Sequence, residues 1–274
     1  MANAEQNSVA VHAQQKIKPS GSDSLELREV SKAFGGLMAV HQVSFVIHPG
    51  EIVALIGPNG SGKTTIFNLI SGFLSPTHGE IWFEERNLKG LPAHHITSLG
   101  IGRTFQNLQV FTNMSVVENV MAGRHLRSKA GLLRTAFRLP PTQAEEKGIF
   151  EAALGKLAMV GLETESFTPP LSLPYGKQKL LEIARALATE PKLLLMDEPA
   201  GGLSTQEIED LARLICLIRD RGITVLLVEH RMELAMGIAD RVVVLNFGEK
   251  IAEGTPDEVQ ANEQVITAYL GEEF

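Results

Sequence analysis

The stretch GPNGSGKTT, Gly57 to Thr65, follows an apolar run, EIVALI, and precedes a helix-forming one, TTIFNLISGF. A glycine, four intervening residues and Gly-Lys-Thr in that setting form a phosphate-binding loop. Gly57, Gly60 and Gly62 let the main chain wrap an anion. With Pro58, Asn59 and Ser61 between them, they bring amides and the positive end of the following helix to bear on negative charge. Lys63 is placed to bridge β and γ phosphate oxygens, and Thr64, with Thr65 beside it, offers a hydroxyl to Mg²⁺.

Two further segments carry acid at the end of an apolar run. In LLLMDEP the run ends in Asp197 and Glu198. A carboxylate there is costly unless it meets a cation, and the Mg²⁺ of a nucleotide is the natural one for Asp197. Glu198, directed the other way, is a candidate general base that polarises an attacking water. In ITVLLVEH a similar run ends in Glu229 and His230. A lone histidine at a strand end is commonly structural, but parallel strands deliver their carboxyl ends to one edge, which makes His230 a candidate contact for the γ-phosphate.

These groups need a sheet to bring them together. From Leu25 onward short apolar runs such as EIVALIG and KLLLMD alternate with helical patterns, which predicts an α/β domain with a buried parallel sheet. LELREV, VSFVIH and GEIWFEE read as short strands of an antiparallel β layer beside it. Between Val116 and Ala188 helical patterns take over, so the expected organisation is a domain over residues 23–274 with a helical insert at about 112–189. Residues 1–22 are polar and small and lack the cationic start and apolar core of a secretory signal; they read as a disordered tail.

Composition narrows the classes. The chain has 274 residues, 44% of them apolar, enough for one large domain or one with an insert. A net charge of −7 argues against nucleic acid as a partner. The single cysteine, Cys216, lies in the periodic stretch IEDLARLICLIRD and reads as a structural thiol of a reducing cytoplasm. The longest apolar runs fall far short of the roughly 20 residues that cross a bilayer, so any membrane-spanning part belongs to another chain.

The motifs together resemble the nucleotide-binding subunit of ABC transporters over about residues 25 to 274. The resemblance implies an ABC-type P-loop NTPase fold that uses ATP and Mg²⁺. It implies that Phe34 in SKAFGG stacks on adenine. Gln106 in RTFQN joins nucleotide and Mg²⁺ to the membrane partner and acts in catalysis with Lys63, Glu198 and the switch histidine His230, while Asp197 and Thr64 complete the metal site. LPYGKQ aligns with the family signature LSGGQ, supported by LLEIARAL, in which Leu180, Ile183, Ala184 and Leu187 form one apolar face. The resemblance implies that this helix start reaches across a dimer interface to the γ-phosphate bound to another subunit. Pro174 removes the signature hydroxyl, but the amides of Tyr175, Gly176 and Lys177 survive, and Lys177 brings an extra positive charge. Ser204 stands where the family has an aspartate.

LPYGKQ, DEPAGGL, the long stretch AGRHLRSKAGLLRTAFRLPP and the ending VITAYLGEE, in a tail at about 254–274, are similar to ATPases of branched-chain (hydrophobic) amino acid importers. That branch implies a peripheral protein on the cytoplasmic face of the inner membrane. Its partners are a second ATP-binding subunit, identical or paralogous, two permeases and, indirectly, a substrate-binding protein. Urea importers, the lipopolysaccharide exporter, a non-transport ABC ATPase and a small P-loop kinase are the alternatives. Arg124, Arg127, Lys129, Arg134 and Arg138 read as a solvated face or a membrane or partner contact. The surface around Phe111 to Val116 is the expected permease socket.

Overall fold

The computed structural model describes residues 24–106, 108–125 and 140–270; the tail expected at 1–22 and most of the basic stretch lie outside them. Arg124 lies within and pairs with Glu190.

One sheet contains β1 (Leu25–Phe34), β2 (Leu37–Ile47), β4 (His78–Phe83) and β5 (Arg86–Asn87) in the order β2-β1-β4-β5, all antiparallel. The first two strands are 10 and 11 residues long, longer than LELREV and VSFVIH suggested. Register shifts interrupt their pairing, and Glu29 and Gln42 have φ of 47° and 50°. Each bulge breaks the in-out alternation from which a strand is read, so the pattern ends before the strand does.

The second sheet has the order β10-β9-β3-β8-β7-β6, with β3 (Ile52–Ile56), β6 (Ile101–Arg103), β7 (Leu193–Asp197), β8 (Thr224–Val228), β9 (Arg241–Asn246) and β10 (Glu249–Gly254). All its neighbours are parallel except β9 and β10. Every residue of β3, β7 and β8 is buried, as continuous apolar runs covered on both faces must be.

Alternate side chains of these strands enter different cores. Leu193 and Leu195 pack with Ile66, Phe67 and Ile70 of the helix Lys63–Ile70 and with Leu27, Val30 and Phe45 of the antiparallel sheet. Leu194 and Met196 pack under the helices Val116–His125, Pro140–Met159, Tyr175–Ala188 and Thr205–Asp220. The helix Tyr175–Ala188 was expected to bury one apolar face. Lys179 and Glu182 are buried with it, because neighbouring helices and the loop after β6 surround it.

Register sets the functional edge. Val228 pairs with both Leu55 and Asp197, so β3, β7 and β8 end at one level. The loop from Gly57, the pair Asp197 and Glu198, and the pair Glu229 and His230 therefore emerge side by side.

Phe67, fully buried between the two sheets, ties them together. Phe67→Ala is expected to cost about 3–5 kcal/mol, read as a lowered midpoint in thermal or urea unfolding.

Candidate active site

The phosphate-binding loop is held from both sides. Gly62, at φ 103°, caps the helix Lys63–Ile70, and a Cβ on it would stand 2.7 Å from the Ala39 carbonyl oxygen of β2. Gly248 donates its main-chain N–H to the Ser61 carbonyl at 3.1 Å. The Lys63 side chain is buried and its Nζ donates to the carbonyl oxygens of Gly57 and Pro58 at 2.6 and 2.8 Å. The loop thus fixes an ammonium over its own backbone while the first amides of the helix, which carry no acidic residue in the first turn, face an incoming anion. Phe34 is half-exposed at the hairpin tip of the same antiparallel sheet, with the Lys32 ammonium 5.2 Å from its ring centre.

Asp197 and Glu198 diverge at the end of β7. Asp197 turns inward, where Arg103 Nη2 donates to its Oδ2 at 3.0 Å. Arg103 also donates to Asn68 Oδ1 and Ser71 Oγ on the phosphate-loop helix, and its guanidinium lies 5.2 to 5.7 Å from the ring centres of Phe67, Phe73 and Phe105. Burial pushes the Asp197 carboxyl up and the Arg103 guanidinium down, and each partner's charge opposes the shift. A guanidinium stays charged in a protein, so Arg103 keeps a charge in place against the carboxyl.

Glu198 turns the other way, through a backbone with φ of 48°. Such a conformation costs a non-glycine residue about 1–3 kcal/mol and persists where the surroundings impose it. Here its N–H donates to the Val228 carbonyl, and its carboxylate meets two side chains. Gln106 Nε2 donates to Oε2 at 2.8 Å, and His230 Nε2 lies 2.9 Å from Oε1, the contact of a ring protonated at Nε2. The fold thus gathers Gln106, Glu198 and His230, residues far apart in sequence.

Glu229 lies almost fully buried behind them and accepts from the main-chain N–H groups of Ala200, His230 and Arg231 at 2.7, 3.1 and 3.3 Å. It fastens the loop after Glu198 to the segment bearing His230. Sequence reasoning gave no role to Glu229 or Arg103. The available signal was a charged residue ending an apolar strand, here IGR and VLLVE.

Tyr175, Gly176 and Lys177 open the helix Tyr175–Ala188 and meet residues outside the phosphate loop. The Tyr175 ring packs on Gly202, whose φ is +79°, and a Cβ on Gly176 would run into the Glu207 carboxylate. Lys177 is committed to Glu165, so what it offers at the helix start is its amide. Ser204 caps the helix Thr205–Asp220, its Oγ accepting from Glu207 N and its N–H donating to the Glu207 carboxylate.

With this geometry, the ABC transporter family model matches residues 40–201, and the branched-chain amino acid ATP-binding cassette transporter model matches residues 249–274. The chain belongs to the ABC transporter family as an ATP-binding cassette, the ATP-hydrolysing subunit of a transporter. It is 44% identical over 240 residues to the high-affinity branched-chain amino acid transport ATP-binding protein LivG of Salmonella typhimurium, covering 87% of this chain and 94% of that one. It is 42% identical to the corresponding BraF of Pseudomonas aeruginosa, covering 90% and 98%. The lipopolysaccharide export ATP-binding protein LptB of Acidithiobacillus ferridurans is 34% identical, covering 92% and 99%. Among solved structures, the ADP conformation of MJ1267, an ATP-binding cassette of an ABC transporter, superposes with a TM-score of 0.79 at 32% identity, covering 91% and 99%. The dimeric post-hydrolysis state of the cassette MJ0796 bound to ADP and Pi gives 0.72 at 27%, covering 85% and 98%.

Replacing Arg103 with Met leaves Asp197 buried without its cation, and a loss of about 3–5 kcal/mol in denaturant unfolding is expected. Burial holds the Glu229 carboxyl above its ordinary range, so the folded state keeps a proton that the unfolded chain releases. Native stability from this group is therefore full below the ordinary carboxylate value and is lost as pH rises through the raised one, so wild-type stability should fall relative to that of Glu229→Gln over that window, read by denaturant unfolding at a series of pH values.

Proposed function

We propose that this chain powers import of branched-chain or other hydrophobic amino acids, by hydrolysing Mg·ATP in a dimer of two ATP-binding subunits bound to two permeases on the cytoplasmic face of the membrane. The observation that carries the catalytic part is the Glu198 carboxylate, held by Gln106 on one oxygen and His230 on the other, at the edge where the phosphate loop opens.

Each residue has a part. The amides of Gly60 to Thr65 and the Lys63 ammonium receive the phosphates, and Phe34 offers its exposed ring to the base. Thr64, Gln106 and Asp197 supply hard oxygen donors of the kind Mg²⁺ takes, and Arg103 orients the Asp197 carboxylate from behind. When bound, the ion supplies positive charge to the phosphate oxygens. Glu198, oriented by its two partners, accepts the proton of the attacking water as it bonds to the γ-phosphorus and ADP departs. His230, donating from Nε2, can take up a hydrogen bond with the γ-phosphate as the water reaches Glu198.

The second subunit enters through its residues Tyr175 to Lys177. Their amides at a helix start suit an anion even with Pro174 in place of a hydroxyl, because the proline sits where no amide is needed. ATP favours the closed pair to the extent that both subunits grip it, and hydrolysis removes that preference. Phe111 and Met114 are exposed apolar residues beside the loop that carries Gln106, which suits a permease helix. Similarity to LivG and BraF, with the match of residues 249–274, supports amino acid import over lipopolysaccharide export.

Glu198→Gln is expected to bind ATP and accumulate a closed dimer by size-exclusion chromatography, with turnover reduced about a hundredfold or more. Lys63→Ala should lose nucleotide binding or hydrolysis. Tagged Glu198→Gln chain purified from its native membrane with ATP should bring two permeases and a second cassette; recovery with nucleic-acid or ribosomal partners would overturn the transport reading.

A further inference from the structure

The turn between β9 and β10 is built on a residue that its backbone disfavours. Phe247 and Gly248 have φ of 46° and 83°, the left-handed pair of a two-residue hairpin turn, where Asn, Asp and Gly sit with little strain. A phenylalanine in that conformation is strained. The fold does not offset the strain by burying the ring, since Phe247 is 88% exposed. A large apolar side chain held out at a backbone cost points to a use outside the core.

Phe247 stands at a cavity of about 690 Å³. That size lies in the range of small-molecule sites, about 300–1,000 Å³. Its walls come from the phosphate loop, the β9–β10 hairpin and the helix Glu263–Leu270. The chemistry of the walls selects a ligand. Glu263 is the one charged side chain on them among the described residues, so they attract a cation and repel a phosphate. Asn59, Asn246 and Gln264 bring side-chain amides, whose N–H groups suit a carboxylate. Phe247 and Ile251 add an apolar surface. An ammonium, a carboxylate and a short hydrocarbon chain on one small molecule make a free hydrophobic amino acid.

We propose that this cavity binds a free hydrophobic amino acid, its ammonium on Glu263 and its side chain against Phe247 and Ile251, and that occupancy slows ATP turnover. The proposal rests on the importer reading above and makes the carried class of molecule a regulator of the ATPase. Ile251, Glu263 and Gln264 all lie within residues 249–274, the segment that the branched-chain amino acid cassette model matches.

The path from the cavity to the ATP site is short. Gly248, next to Phe247, donates to the Ser61 carbonyl at 3.1 Å and accepts from His41 N at 2.8 Å, so the hairpin turn braces the phosphate loop against β2. Ser61 and Pro58 line the cavity, and the Pro58 carbonyl accepts from Lys63 Nζ at 2.8 Å. An occupant that bridges this loop to the helix Glu263–Leu270 holds the loop in one arrangement. A loop that takes up and releases nucleotide in every cycle turns over more slowly when it is held. By linkage, the amino acid and ATP weaken each other's binding by the same factor.

The test uses the full chain, L-leucine as the probe, titration calorimetry and steady-state ATP hydrolysis. Wild type is expected to bind L-leucine saturably with a Kd of about 1 mM or below. Glycine, without the apolar chain, and isocaproate, without the ammonium, should bind about tenfold more weakly or worse. Glu263→Gln and Phe247→Gly should each weaken L-leucine about tenfold while basal kcat stays within about twofold. Saturating L-leucine is expected to lower wild-type turnover about twofold or more and to leave both variants unaffected. Glycine suits the turn, so Phe247→Gly should fold; if it does not melt cooperatively, Glu263→Gln carries the test. Absence of L-leucine binding, or binding that both variants retain, would overturn the site. So would a Phe247→Gly chain whose only change is weaker self-association, which would assign the ring to a contact with a second subunit. Recovery of the chain from its membrane without permeases would instead overturn the importer reading, whatever its affinity for L-leucine.

Discussion

Burying carboxylates at the ends of apolar parallel strands is the constraint on which this structure turns. β7 and β8 are wholly buried, yet they lead into Asp197 and Glu229, each at most 3% exposed. An unpaired carboxylate in such a place costs several kcal/mol, so the surroundings must answer each one. Asp197 is answered by Arg103, which is itself surrounded by three phenyl rings and bonded to the helix of the phosphate loop. Glu229 is answered by main-chain amides on either side of the cleft. The answers are what hold the site: the same bonds that neutralise or solvate the acids tie β6, β7, β8 and the phosphate-loop helix into one edge.

Glu198 differs because it is left partly accessible. Its left-handed backbone turns it away from Asp197, and its two side-chain partners come from separate loops. A second carboxylate on the inward path of Asp197 would meet the same Arg103 guanidinium and its ring of phenyl groups. The strain at that single residue is therefore the local cost of sending two adjacent acids in opposite directions, Asp197 to Arg103 and Glu198 to Gln106 and His230.

The helices between β6 and β7 join this edge through polar contacts as well as apolar packing. Asn119, fully buried, donates to the carbonyls of Phe111 and Ser115 and accepts from Phe111 N, while Lys179 donates to the Gln106 carbonyl and Glu182 accepts from Gln109 N. The loop between β6 and the helix Val116–His125 is short of regular structure, so its amides and carbonyls need partners, and side chains of the helices Val116–His125 and Tyr175–Ala188 provide them. A loop satisfied in that way is held to one defined shape.

Much of this was legible from the chain alone. GPNGSGKTT determines a phosphate loop because only glycines tolerate φ of 149°, 75° and 103° at Gly57, Gly60 and Gly62. Continuous apolar runs determine buried parallel strands, because no alternating pattern could be covered on both faces. The partners of Arg103, Glu182 and Glu229 were not legible. Each is set by which strand neighbours which, and a charged residue in sequence does not disclose whether it faces water or a buried group. The length of the bulged strands escaped for a related reason, since a bulge shifts the periodicity on which the reading depends. Local sequence determined which groups are present and which backbone shapes they permit. The tertiary structure alone decided which charges meet, because burial makes an ion or an amide depend on neighbours that sequence distance does not reveal.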